Sequence, residues 1–126
     1  MVPPKILAFA GSTRTDSFNK KLVKIVSAGA RDAGAEVTLI DLLDFPMPLY
    51  DEDLERLNGI PSTASRLKSL MLSHQGLLIS SPEYNSSISG VLKNTIDWTS
   101  RQGMMKLLWI VIGEKWQDWS VHPPED

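Results

Sequence analysis

Two short polar segments carry most of the side chains in this 126-residue chain that could do chemistry. The first, Gly11–Asn19, reads GSTRTDSFN and gathers hydroxyls at Ser12, Thr13, Thr15 and Ser17, a carboxamide at Asn19 and one cation, Arg14. Those types suit a phosphate monoester. Backbone N–H groups and hydroxyls donate, and a guanidinium adds charge-assisted bonds. With one glycine and no Gly-Lys-Ser/Thr, the segment is neither a dinucleotide-binding loop nor a P-loop. The same residues also suit a plain helix start capped by Ser17 or Asp16, and residue types alone leave both readings open. The second segment, Ser81–Ser89, reads SPEYNSSIS. Pro82 stiffens a turn, while Glu83, Tyr84 and Asn85 offer an acceptor, an aromatic face and an amide that could line a planar heteroaromatic ring. The plain alternative is a polar turn before a helix capped by Ser87 or Ser89.

Other candidates are weaker. His74 ends an amphipathic face and His122 lies near the terminus, and neither has the neighbouring ligands of a metal site. Asp41, Asp44, Asp51 and Asp53 read as loop charges rather than a catalytic dyad. A phospho-acceptor receiver domain would need acidic residues after the first strand, where this chain has Ala10-Gly11-Ser12.

Both segments follow runs that suit buried strands. KILAFA (Lys5–Ala10) is nearly continuous in apolar residues, as in a strand covered on both faces. From Ser17 a helix is expected, with Leu22, Ile25, Val26, Gly29, Ala30 and Ala33 on one face and Gly34 at its C-terminal cap. EVTLIDL (Glu36–Leu42) reads as the second strand. Asp44–Pro61, rich in proline and charge, reads as a long loop. Ala64, Leu67, Leu70, Met71 and His74 mark a second amphipathic helix. LLIS (Leu77–Ser80) is a third strand, followed by a helix from about Ser89 or Gly90 to Thr99 with Val91, Leu92, Thr95 and Ile96 inward. Strands alternating with helices imply an α/β fold with a parallel sheet. In such a sheet both polar segments stand at the carboxyl ends of strands, where ligands bind.

The composition bounds the function. With 42% apolar and 22% charged residues and a net charge of −2, the chain has no basic stripe for nucleic acid. The absence of cysteine excludes disulfides, thiolate metal sites and cysteine nucleophiles. The longest apolar run, Leu107–Ile112, is far below the roughly 20 residues of a membrane-spanning helix. MVPPKILAFAGS does not read as a signal peptide, so one cytoplasmic domain is expected.

Taken together the two segments resemble the NADPH-dependent FMN reductase family, of flavodoxin-like fold. Its first loop, G-S-x-R-x-x-S-x-N-x-x-L, is matched by Gly11, Ser12, Arg14, Ser17, Asn19 and Leu22. Its second signature is matched by Pro82, Glu83, Tyr84, Asn85, Gly90, Leu92, Lys93, Asn94, Asp97 and Trp98. DLLDFPMPLYDED is similar to the family's loop after the second strand. The resemblance implies a three-layer α/β/α fold, with Ser12, Arg14, Ser17 and Asn19 holding the FMN phosphate. Pro82, Glu83, Tyr84, Asn85 and Ser86 would line the isoalloxazine edge, with Tyr84 near the ring. It implies NADPH or NADH as hydride donor and a flavin, quinone or azo compound as acceptor. It also implies a homodimer or homotetramer, and no side chain acting as acid or base. Arg14 separates the loop from that of electron-carrying flavodoxins.

The resemblance covers residues 1–103 and leaves 104–126 as an atypical tail, so the flavodoxin-like fold is expected to be incomplete at its C-terminal end. Leu107–Ile112 could occupy the fourth-strand slot, with irregular chain beyond it and a sheet edge and face left uncovered. Weaker FMN binding than in a full-length relative follows, and a non-enzymatic fragment with weak or no FMN binding is the alternative. One synonymous coding of Met104–Asp126, read one base earlier, gives DDEAALDSYRGKVAGLVSASPGG, which resembles the family's continuation. A frameshift, or a splice or gene-model error, is therefore expected to have replaced the family's C-terminal third, and codons that do not yield this string in the shifted frame would contradict it.

Overall fold

Alternation along Lys5–Ala10 decides the layering. These residues form strand β1, and successive side chains point to opposite faces. In the computed structural model, which describes residues 2–101 and 108–114, Leu7 and Phe9 enter one apolar cluster with Leu67, Met71, Leu77, Ile79 and Leu92. Ala8 and Ala10 enter another with Val23 and Leu78. One face of the sheet is thus built of large side chains, while on the other β1 contributes the small Ala8 and Ala10. Each large side chain fully buried contributes about 1.5–3 kcal/mol, so most of the apolar stabilisation lies on the first face.

The element order is β1, α1 (Phe18–Asp32), β2 (Glu36–Leu39), a 3₁₀ turn (Leu42–Asp44), α2 (Glu52–Asn58), α3 (Ser62–Leu72), β3 (Gly76–Pro82), α4 (Gly90–Thr99) and β4 (Leu108–Glu114). The strands run β2-β1-β3-β4, and each adjacent pair is parallel. This is the flavodoxin-like arrangement expected, with α1 on the small-residue face and α3 and α4 on the large-residue face. The register runs from Gly76↔Leu108 to Pro82↔Glu114, so β4 fills the fourth-strand slot slightly later than Leu107–Ile112. Trp116, Trp119 and His122 lie outside the described residues. No helix among the described residues is long and apolar enough to cross a membrane.

Local chemistry sets the element ends. Ser17 caps α1, its hydroxyl accepting from the Asn19 N–H. At the other end Ala35 N–H donates to Ala30 O and Gly34 N–H to Arg31 O, a Schellman closure in which Gly34 takes φ +102°. Three expectations need correction. The buried row of α1 is Asn19, Val23 and Ser27, and Ile25 is 69% exposed. Against Ala8 and Ala10 the helix approaches closely and presents its small and polar row. The second strand stops at Leu39 because the Asp41 carboxylate accepts from Leu43 N–H and starts a 3₁₀ turn. The segment expected to be all loop contains α2, whose cap Asp51 accepts from Asp53 and Leu54 N–H ahead of an acidic first turn.

The remaining loop after β2 is stapled to α4. Asn94 accepts from Tyr50 N–H at 2.7 Å and donates to Pro48 O at 3.0 Å. The indole N–H of Trp98, a fully buried residue, donates to the same carbonyl at 2.7 Å. The Tyr50 ring meets Trp98 edge-on at 4.9 Å, with the Arg101 guanidinium over the Tyr50 ring and paired to Glu55 at 2.9 Å. Desolvation pushes the Tyr50 phenol upward against the opposing pull of Arg101. Asn94→Ala removes two hydrogen bonds and leaves a half-buried N–H without its acceptor. A loss of about 2 kcal/mol is expected in urea unfolding, with faster proteolytic cleavage between residues 45 and 51.

Candidate functional site

The chain leaves β1 toward β2 on one side, while β3 feeds β4 on the other, so the carboxyl ends of β1 and β3 form the topological switch point of the sheet. Gly11 N–H extends the β1–β3 ladder by donating to Ser80 O at 2.7 Å. Both polar segments begin at this point, one from each strand.

In the first loop Ser12 is half-buried and its hydroxyl accepts from Arg14 N–H at 3.3 Å. Arg14 is exposed, and its guanidinium donates to Asp16 O at 3.2 Å. No carboxylate of the described residues lies within ion-pair distance of it. Ser17 and Asn19 are buried. Ser17 caps the helix, and the Asn19 carbonyl oxygen accepts from Ser80 Oγ at 2.6 Å. The loop is therefore a capped helix start that also leaves a cation and a hydroxyl at its outer surface. What Asn19 retains for an anion is its NH₂ group, the donor end.

In the second loop Ser81 and Pro82 are buried, Glu83 is half-buried, and Tyr84, Asn85 and Ser86 are exposed. Tyr84 and Ser87 exchange both backbone hydrogen bonds, closing a two-residue hairpin. Asn85 and Ser86 at its tip take φ +52° and +64°, as in a type I′ turn. The tip therefore projects Tyr84 and Asn85 outward on a rigid support. Sequence reasoning missed this hairpin, because Asn-Gly is the usual signal and this chain has Asn-Ser. It also missed Ser80 and the capping roles of Asp41 and Asp51. Of the two alternatives for the α4 cap, Ser89 is the one used, accepting from Leu92 N–H.

A cavity of about 730 Å³ lies on the far side of the first loop, lined by Ser17, Lys20, Lys24, Asp41 and Phe45 among others. None of residues 82–86 reaches it. Lys20 pairs with Asp41 at 3.0 Å there. Burial works to raise the Asp41 carboxyl, but Leu43 N–H and Lys20 outweigh it and hold it below its ordinary value. The cavity thus carries the Lys20–Asp41 pair together with Lys21 and Lys24.

Comparison with known proteins identifies the family. The profile of the NADPH-dependent FMN reductase family matches residues 4–113, and the chain belongs to that family. It is 38% identical over 97 residues to an NAD(P)H-dependent FMN reductase of Pseudomonas aeruginosa, covering 77% of this chain and 50% of the relative. It is 37% identical over 101 residues to a quinone reductase of Escherichia coli, with the same coverage. The chain thus spans about half the length of the curated relatives it matches. Among solved structures, the flavoenzyme NAD(P)H:(acceptor) oxidoreductase of Paracoccus denitrificans superposes with a TM-score of 0.70 at 31% identity, over 87% of this chain and 60% of that one. The azoreductase AzrA shares the fold, with a TM-score of 0.72 at 16% identity over 94% of this chain and 72% of that one.

A serine held at φ +64° costs more than glycine would at the hairpin tip. Ser86→Gly is expected to raise the urea midpoint by the equivalent of about 0.5–1 kcal/mol with an unchanged slope. An unchanged or lowered midpoint would contradict the left-handed turn.

Proposed function

We propose that this chain binds FMN across the switch point and belongs to an NAD(P)H-dependent oxidoreductase passing hydride to a flavin, quinone or azo acceptor. The observation that carries the reading is Arg14. It is exposed near the N-terminus of α1 and free of any carboxylate partner among the described residues, on a loop that starts from the strand end next to the one that leads to exposed Tyr84. Membership of the FMN reductase family and the printed activities of the relatives support it.

In this reading Ser12, Arg14 and the NH₂ of Asn19 donate to the phosphate, and Ser17 acts by fixing the helix N-terminus behind them. Pro82 holds the second loop against the sheet. Glu83, Tyr84, Asn85 and Ser86 present backbone and side-chain groups to the edge and face of the ring. FMN, when bound, supplies the hydride and electron transfer, drawn from NADPH or NADH. The protein's own part is to bind, to orient and to cover one side of the ring from water. None of the residues assigned here is asked to move a proton.

Two measurements test this. Purified chain is expected to carry or take up flavin, seen in its visible absorption, and to oxidise NADPH with added FMN or quinone. A chain that stays colourless and inert in FMN would favour the non-enzymatic alternative. Arg14→Ala is expected to weaken FMN binding about tenfold to a hundredfold, the range for a charge-assisted hydrogen bond, while changing riboflavin binding less than about threefold. Equal losses for the two flavins would refute the phosphate role.

A further inference from the structure

Behind the two loops lies a set of buried groups that none of the site assignments uses. The Ser89 hydroxyl is 2% exposed and does two things at once. It accepts from Leu92 N–H as the cap of α4, and it donates to Gly11 O at 2.5 Å, across 78 positions of sequence. Ser81, 4% exposed, accepts from Ser89 N–H at 3.3 Å and donates to Pro82 O at 3.0 Å. Gly11 completes the contact. A Cβ there would stand 3.0 Å from Ser81 Oγ, 3.1 Å from Ser81 Cβ and 3.2 Å from Leu92 Cβ. The first residue of one loop is thus pressed against the first residue of the other and hydrogen-bonded to its last.

The arrangement exceeds what capping requires. A cap needs only an acceptor, which Asp or Asn would also supply. A hydroxyl is needed because the same atom must also donate to a carbonyl of the opposite loop. Being buried, the bond to Gly11 O has no water to replace it, so its loss frees the two loops to move independently.

We propose that Ser89, with Gly11 and Ser81, is a positioning residue that fixes the spacing of the two FMN-binding loops, so that a ligand spanning both gains from their preset separation. The inference rests on the FMN reading above. Neither loop loses its own contacts when the lock is broken. What falls is the effective concentration of the second loop once the first is engaged. The lock therefore bears on a ligand that bridges both loops and leaves a ligand touching one loop almost unaffected.

The test compares three probes on the full chain: FMN, riboflavin and inorganic phosphate. Ser89→Ala is expected to weaken FMN about tenfold while riboflavin and phosphate each change less than about twofold. Ser89→Thr, which keeps both donor and acceptor, is expected to restore FMN affinity to within about threefold. Gly11→Ala attacks the same contact from the opposite loop, with the Ser89 hydroxyl still present, and is expected to show the same selective loss. Should Ser89→Ala weaken all three probes alike, the residue is only a helix cap and the proposal fails while the FMN reading stands. If the unaltered chain binds no FMN, that reading fails instead, and amide hydrogen exchange of the free protein decides the lock. Faster exchange in Ser89→Ala at both 12–19 and 82–89 supports it, and a change confined to 89–92 overturns it.

Discussion

The contact on which the rest of the structure depends is the approach of Gly11 to Ser81 at the carboxyl ends of two neighbouring parallel strands. Neither strand could be shifted along the other without breaking the Gly11–Ser80 hydrogen bond or driving backbone into the Ser81 side chain. Parallel pairing places both loops at one end of the sheet, and the switch of chain direction between β1 and β3 opens a crevice there. Fixing the two strand ends by buried hydroxyls rather than apolar contact has a consequence for binding. Directional bonds hold one geometry, while apolar contact tolerates sliding.

A second consequence concerns which signature residues can meet a ligand. Asn94 and Trp98 belong to the second motif, yet both are spent on Pro48 and Tyr50 of the loop after β2. Lys93 and Asp97, four apart on one helix face, pair with each other. The motif therefore has two jobs in sequence. Its first part forms the hairpin after β3, and its second part turns α4 into an anchor for the Pro48–Tyr50 part of the loop after β2. Ser17 and Asn19 show the same division in the first motif, since each is buried in a contact that organises the helix start.

Much of this was legible in the chain. The strand at Lys5–Ala10 was, because a run buried on both faces leaves little ambiguity, and so was the helix after Gly90, because Ser89 precedes an apolar periodicity. The α1 face was misjudged at Ile25. Hydrophobic periodicity assumes that large residues face the sheet, whereas β1 here offers Ala8 and Ala10 and the buried row of α1 includes Val23 and Ser27. Helix α2 was hidden by its polarity, with no buried residue to create a period. At the two polar loops, residue types could not separate groups free to meet a ligand from groups spent on internal support. That distinction depends on burial, and Ser89 and Ser81 carried no sequence signal beyond a possible cap.

Membership of the FMN reductase family accounts for both loops and for the sheet order, while the chain itself spans about half of its curated relatives. The central claim is that one ligand is held at once by the loop after β1 and the hairpin after β3. Amide chemical-shift mapping by NMR during an FMN titration tests it most directly. The account predicts that residues 12–19 and 82–87 shift together along a single binding curve. Shifts confined to one loop, or centred on Lys20, Lys24 and Asp41 around the neighbouring cavity, would contradict it.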